Sequence, residues 1–243
     1  MKALTLAKRN TREILRDPLT LGFGLGFPLV LILLLSAIQA SIPVSLFEIE
    51  SLAPGVTVFG LSFMTLFSAM LISKDRSSAL LQRLYTSPLT PLDFILSYTV
   101  PIVPISLAQG AICYIVALIL GLEPTPYILL ALVFLIPVSL LYVGMGLLFG
   151  SILDDKQVGG ICGALLTNLS AWLSGVWFDL KLVGGVFETI ANLLPFVHAV
   201  ELERAVLAGT LDGILSHLLW ILGYTVAVIA LAVYLFLRQM KRQ

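Results

Sequence analysis

The side chains best suited to chemistry lie close together between positions 198 and 204. His198, Glu201 and Glu203 are residue types that bind zinc, and Arg204 is a residue type that pairs with carboxylates. Glu201 and Arg204 stand three positions apart, however, and on a helix this spacing places a carboxylate beside a guanidinium. It favours an ion pair over metal ligation, so we expect no metal site here.

Other signatures of catalysis are missing from the sequence. Cys113 and Cys162 each lie alone in an apolar run, which is typical of small packing residues. The sequence contains no His-Glu-x-x-His and no Gly-x-Ser-x-Gly, and no Gly-Lys-Ser/Thr that would belong to a phosphate-binding loop. We therefore predict no catalytic residues, and no hydrolysis of ATP by this chain alone.

The elements that must position these residues are long and apolar. Of the 243 residues, 59% are hydrophobic and 12% are charged, whereas soluble domains carry roughly 25% charged residues. A helix needs about 20 apolar residues to cross a bilayer. Six segments qualify and carry no Asp, Glu, Lys or Arg except at their ends: 19–40, 54–73, 94–121, 127–153, 158–178 and 214–237. They predict an all-α integral membrane protein with six transmembrane helices, forming a single domain over residues 1–243.

The basic residues are distributed unevenly along the chain. Twelve of the fourteen fall in the N-terminal tail, in the loops after the second and fourth spans, and at the C-terminus; Lys181 and Arg204 are the exceptions. Since Lys and Arg are enriched in cytoplasmic loops, both termini are expected to be cytoplasmic. The net charge is zero, so no basic field suggests a nucleic-acid partner. We expect a multi-pass protein of the cell membrane, in contact with membrane lipids.

The longest external connection, residues 179–213, is itself apolar. Its pattern predicts two short helices, 182–194 and 196–208, which Pro195 separates and Gly209 follows as a C-terminal cap. An external segment of this size and polarity is expected to dip into the outer leaflet and pack on the spans as two re-entrant helices.

Small residues recur in three of the spans. Span five carries one at every fourth position: Gly159, Gly163, Thr167, Ala171 and Gly175. This step predicts a smooth stripe along the helix, which either packs within one subunit or forms a seam between subunits. The shorter pairs, Gly22 with Gly26 and Gly146 with Gly150, favour packing within one subunit.

An aromatic stripe follows one face of span two. Phe59, Phe63 and Phe67 are spaced four residues apart, and Trp172 and Trp177 lie near the external end of span five. These rings would line a path for a hydrophobic substrate, or would pack together, with the tryptophans as anchors at the membrane surface.

The spans hold no ionisable residue except His217, near one end of the last span. Ion-driven carriers keep ionisable residues within the bilayer because their chemistry requires them. An ion-coupled secondary transporter is therefore a disfavoured alternative. An intramembrane enzyme is disfavoured by the missing catalytic residues, and a non-transporting scaffold is a third alternative.

The loop between spans two and three has an amphipathic pattern over residues 74–88. Leu80, Leu81, Leu84 and Tyr85 form an apolar stripe, and Ser87-Pro88 ends the pattern. It predicts a short cytoplasmic helix that lies parallel to the membrane, either on lipid or against a partner.

The same loop carries Asp75-Arg76, Leu81, Arg83-Leu84 and Ser87-Pro88-Leu89. In these residues it resembles the loop of the type-2 permeases of ABC exporters, a six-span family that includes drug, polysaccharide and peptide exporters. Further matches are Pro54-Gly55, the segment from Ser174 to Phe178, and the segment from Pro195-Phe196 through Arg204 to Gly209. The departures are Ser78-Ala79 where Gly-Thr is common, Asp179 for a proline and His198 for an aromatic residue.

The resemblance implies a permease that works with other chains. Two six-span subunits, identical or different, would form a path for a hydrophobic or amphipathic drug, lipid or peptide-like substrate. Two copies of a separate ATPase would dock on the cytoplasmic side and hold the ATP and Mg²⁺, so this chain needs no cofactor of its own.

The resemblance also implies roles for individual segments. The helix at 74–88 would be the coupling helix, contacting the ATPase through Asp75, Arg76, Leu81, Arg83, Leu84 and Pro88. Residues 2–16 would form an interfacial connecting helix. Spans two and five would face the path, and their candidate residues are Phe59, Phe63, Phe67, Gly163, Thr167, Ala171 and Trp172.

Overall fold

The computed structural model describes residues 2–78, 90–210 and 213–240, and every regular element within these ranges is a helix. The N-terminal helix covers Lys2–Leu15. Span one consists of Pro18–Leu21, a π-helical turn at Gly22–Gly26, and Phe27–Gln39. Span two consists of Ile49–Gly60 and Ser62–Ser77, span three is Pro91–Ile119, span four is Tyr127–Ile152, and the last span is Ile214–Met240.

Five helices of the described chain are long and apolar enough to cross a membrane: Gly22–Gln39, Ile49–Ser77, Leu92–Ile119, Tyr127–Ile152 and Ile214–Arg238. They match five of the six predicted segments. Span two starts earlier than predicted, at Ile49, because Pro54 lies inside the helix and does not open it. Pro54 is the sixth residue of this helix, and it has no N–H group to donate to the carbonyl group of Glu50.

The predicted fifth span is not a single long helix. It consists of Asp155–Val158, a π-helical stretch at Gly159–Leu166, and Thr167–Leu173, which together we call segment five. It ends before Phe178, where the prediction placed its end, because the chain turns at Gly175 with a φ of +72°. A left-handed conformation of this kind is readily adopted only by glycine.

Span two lies at the centre of the bundle. About nine-tenths of the residues in its apolar stretch are buried (89%). In span one and in the last span, only 17% of the corresponding residues are buried. Span four packs closely against it at Gly146 and Gly150. A Cβ atom on Gly146 would lie 2.7 Å from the carbonyl oxygen of Thr65, and one on Gly150 would lie 2.7 Å from that of Ala69. The predicted packing role of this glycine pair is thus confirmed.

The connection between segment five and the last span, which was predicted to be external, contains the two predicted helices with one modification. The first is divided at Gly184 into Leu180–Val183 and Gly185–Leu193. The second is Pro195–Leu207, so the proline that was predicted to separate the two helices is the first residue of the second one. Gly209 follows with a φ of +69°, and a Cβ atom there would lie 2.6 Å from the Tyr127 ring. The second helix packs against spans two, four and six of the prediction and is mostly buried, as expected for a segment that folds back onto the spans.

Candidate functional site at the basic end of the bundle

One end of the bundle, here called the basic end, gathers the N-terminal helix, the last turns of spans two and four, and the first turn of span three. At its centre the Asp75 side chain is only 1% exposed. Arg9 binds both of its carboxylate oxygens, at 2.7 and 2.5 Å, and the Tyr98 hydroxyl donates a third hydrogen bond at 2.8 Å. A two-pronged guanidinium–carboxylate contact is strong and directional, so it fixes the N-terminal helix to span two.

The N-terminal helix is held at two further points. Arg9 also binds Glu13, at 2.7 Å, and Asn10 donates a hydrogen bond to the Ser97 carbonyl oxygen of span three at 3.0 Å. The hydrogen bonds to Asp75 raise the pKa of Arg9 above its ordinary value, although burial acts in the opposite direction. The helix, the end of span two and the start of span three are therefore held together as one unit.

The neighbouring residue, Arg76, connects span two to span four. Its guanidinium donates hydrogen bonds to the carbonyl oxygens of Ser151 and Leu153, at the C-terminal end of span four. A cation at this position satisfies carbonyl groups that a helix end leaves free and complements the helix dipole. Ser73 donates a hydrogen bond to Asp155 at the start of segment five. The last turn of span two thus contacts every neighbouring element at the basic end.

These contacts change the prediction for the coupling helix. Asp75 and Arg76 do not belong to a separate helix that begins at residue 74, because span two continues without interruption to Ser77. Their side chains bind groups of this chain and so position the end of span two. The other four predicted coupling residues, Leu81, Arg83, Leu84 and Pro88, lie outside the described residues, and their contact with an ATPase stays a prediction.

The aromatic stripe of span two is buried within the chain. Phe59, Phe63 and Phe67 are 5, 8 and 6% exposed. Phe63 packs edge-to-face with Phe27 of span one at 5.5 Å between ring centres, and Phe59 packs similarly with Trp177. The stripe therefore fills the contact between spans one and two, and it borders no open path within the part of the chain that the structure describes.

Three of the small residues of segment five, Gly163, Thr167 and Ala171, face the interior of the chain, and Gly159 does not. Thr167 and Ala171 are 7 and 6% exposed and pack within the chain, and a Cβ atom on Gly163 would touch Leu66 of span two at 3.4 Å. At Gly159, by contrast, no atom of the described chain lies within 4 Å of the position that a Cβ atom would take. A π-helix has more residues per turn than an α-helix, so a four-residue step drifts around its surface. Packing within the chain accounts for Thr167 and Ala171, which leaves no subunit seam at these two positions.

Two other predicted features lie on open surface. Trp172 is 53% exposed, with its ring 5.9 Å from that of Phe178. Gly22 and Gly26 have no atom of the described chain within 4 Å of the Cβ position, so the predicted packing of this pair within the subunit is wrong.

At the opposite end of the bundle, Arg204 joins three elements. It pairs with Glu201 at 3.0 Å, which confirms the predicted i, i+3 pair, and it donates hydrogen bonds to the carbonyl oxygens of Ser51 and Gly175 at 3.2 and 3.0 Å. The start of span two and the turn after segment five are thereby fixed to the second external helix. Beside Arg204 lies a cleft of about 600 Å³, lined among others by Trp177 and Asp179.

Two polar contacts, one buried and one partly buried, were not predicted. Tyr114 of span three donates a hydrogen bond to Glu203 at 3.1 Å, and the second carboxyl oxygen of Glu203 is buried and has no hydrogen-bond partner among the described residues. The two histidines of the chain, His198 and His217, meet with their Nδ1 atoms 3.0 Å apart. No local spacing indicates either pair, because the partners are 89 and 19 residues apart.

A protein-family model described as ABC-2 type transporter matches residues 1–208. No curated protein matches the sequence. The family match covers most of the chain, including the N-terminal helix, the basic end and the second external helix. This match, together with the five apolar helices of membrane-spanning length in the described part of the chain, shows that the chain belongs to the ABC-2 type transporter family and is a multi-pass membrane permease.

Proposed function

We propose that this permease is the transmembrane subunit of an ATP-driven exporter, and that it moves a hydrophobic or amphipathic molecule outward with ATP hydrolysed by a separate ATPase. The observation that carries the proposal is the set of contacts around Asp75 and Arg76. They connect the chain entering the loop 79–89 to the N-terminal helix, span three and span four. A displacement of that loop by a bound partner would therefore move several helices together.

The proposal needs an ATPase at the basic end. Two ATPase copies would dock there on two permease copies, with the loop 79–89 seated on each ATPase. Closure of the ATPase pair around ATP would displace the end of span two, and Arg9 and Arg76 would transmit the displacement to the neighbouring elements. Rigid elements with specific contacts carry such coupling.

We further infer that the chain crosses the membrane six times. Segment five has 19 helical residues, from Asp155 to Leu173, a length of about 28 Å at an α-helical rise. It starts beside Ser73 at the basic end, and the Gly175 turn that follows it contacts Arg204 at the opposite end. Both observations support a crossing, and the charge distribution supports a cytoplasmic location for the basic end.

Cysteine labelling tests this orientation. Single cysteines at Glu50 and Lys181, which are exposed at the opposite end, are expected to react with an impermeant thiol reagent in intact cells. The background lacks the two natural cysteines, Cys113 and Cys162. A cysteine at Ser78 should react only after permeabilisation, and its labelling in intact cells would reverse the orientation.

ATP dependence tests the function itself. The purified chain is expected to show no ATP hydrolysis, because its sequence has no phosphate-binding loop. When the chain is reconstituted with its ATPase in vesicles, ATP should drive export of an amphipathic dye, and the ATPase alone should not. Hydrolysis by the permease alone, or export independent of ATP, would rule the proposal out.

One observation favours the alternative of an ion-coupled carrier, namely the buried carboxyl group of Glu203 beside Tyr114. Burial disfavours the charged form of a carboxyl group. The side chain of glutamine is uncharged and has nearly the same shape as that of a protonated glutamic acid. Glu203→Gln is therefore expected to retain ATP-driven export in the same vesicles. A carrier that binds and releases a proton at Glu203 would lose transport in this variant and would respond to an imposed pH gradient without ATP.

A further inference from the structure

A groove of about 640 Å³ lies at the basic end, between the second half of the N-terminal helix and the last turn of span two. The side chains that line it include four cations and two carboxylates. Arg9 already forms ion pairs with Asp75 and Glu13. Arg12, Arg16 and Lys74 are exposed and have no ion-pair partner within residues 2–78, 90–210 and 213–240. The groove therefore carries positive charge that the described chain does not neutralise.

The groove lies where the apolar parts of spans one and two end. Pro18, on its wall, opens span one, and Lys74 follows directly after the apolar part of span two. The N-terminal helix also exposes two leucines beside its arginines, Leu4 at 68% and Leu15 at 59%. Exposed apolar and basic side chains on one helix are typical of helices that rest on a membrane surface.

Directly beyond the groove, span one offers a smooth apolar surface. The π-helical turn begins and ends with a glycine, Gly22 and Gly26, and no atom of the described chain lies within 4 Å of either Cβ position. Phe23 and Val30 are 56 and 57% exposed. A strip without side chains, flanked by apolar ones, has the shape that an extended acyl chain fills. The positive groove and this strip are continuous along the chain from Arg16 to Val30.

We propose that the groove binds the phosphate headgroup of an anionic phospholipid, with an acyl chain along span one at Gly22 and Gly26. Arg12, Arg16 and Lys74 bind the phosphate, for which guanidinium groups provide several donors in one plane. Charge complementarity favours an anionic lipid over a zwitterionic one. Because the N-terminal helix is fixed to Asp75, a lipid bound here would stabilise the basic end of the bundle.

The experiment uses the full chain, purified in detergent without an ATPase. Phosphatidylglycerol or phosphatidylcholine is titrated in mixed micelles, and the thermal midpoint and the lipid retained in native mass spectrometry are measured. Phosphatidylglycerol should raise the midpoint and be retained. The double variant Arg12→Gln/Arg16→Gln should bind it on the order of 30-fold more weakly, at about five-fold per arginine near an anionic surface.

A matched control removes the same charge elsewhere. Lys8→Gln/Lys156→Gln neutralises two exposed cations at the basic end that do not line the groove, and this variant should bind phosphatidylglycerol like the unmodified chain. Equal loss in both variants would show diffuse attraction and overturn the proposal. Equal protection by phosphatidylcholine, or by inorganic phosphate alone, would overturn it as well. A lipid-independent dimer that the groove variant dissociates would assign the surface to a second copy of the chain.

Discussion

Gly146→Ala is expected to destabilise the protein by about 1–3 kcal/mol, the usual cost of inserting a methyl group into a well-packed interior. The new Cβ atom would lie 1.7 Å from the Ser68 hydroxyl oxygen and 2.7 Å from the Thr65 carbonyl oxygen. Ser68 has a side chain that can rotate, but the Thr65 carbonyl belongs to the backbone of span two. Spans two and four would have to separate, and the contacts between them would weaken along their length.

Thermal unfolding in detergent, followed by tryptophan fluorescence, measures this effect. The matched control is Gly223→Ala in the last span, where no atom of the described chain lies within 4 Å of the Cβ position. Since alanine is the better helix former by about 1 kcal/mol, the control should leave stability unchanged or raise it. If both variants shifted the midpoint in the same direction and by the same amount, the close contact at Gly146 would not exist.

Arg9→Gln is expected to have the second large effect, a loss of up to about 3 kcal/mol, because it leaves the buried Asp75 carboxylate without its counter-ion. The reverse change, Asp75→Asn, should cost less. Arg9 is 38% exposed, so its charge can be hydrated, whereas Asp75 at 1% cannot. The double variant should cost less than the two single changes together, since neither charge is then left unpaired.

Thermal midpoints of the three variants test this order, with Lys8→Gln as the control because Lys8 is exposed on the same helix. In vesicles containing the ATPase, Arg9→Gln should also lower export per assembled transporter. An Arg9→Gln protein as stable as the Lys8→Gln control would show that the contact with Asp75 contributes nothing. Stability losses that simply add in the double variant would show that the two residues act independently.

The features that were predicted from the sequence depend on local spacing. Apolar runs located five spans, Pro195 located the start of the second external helix, and the three-residue step from Glu201 to Arg204 identified an ion pair. Each of these signals lies within one element. Periodicity and helix-ending residues are sufficient to detect them.

The contacts at the basic end lie beyond such signals. Arg9 and Asp75 are 66 residues apart, and their meeting depends on how the N-terminal helix packs on spans two and three. Segment five shows a second limit. A four-residue step was interpreted as one face of an α-helix, but the π-helical stretch at Gly159–Leu166 displaces that face. The close helix contact instead uses the shorter pair, Gly146 and Gly150.

The burial of the phenylalanine stripe also bears on ion leakage. Phe59, Phe63 and Phe67 close the contact between spans one and two, and wetting that contact would expose all three rings to water at a cost of about 5–9 kcal/mol. At about 1.4 kcal/mol per factor of ten, fewer than about one chain in a thousand would be open at rest. A closed apolar contact of this kind gives hydrated ions no water-filled route between the two spans, as in hydrophobic gates that close by dewetting. The resting protein is therefore expected to preserve the membrane potential while it awaits substrate.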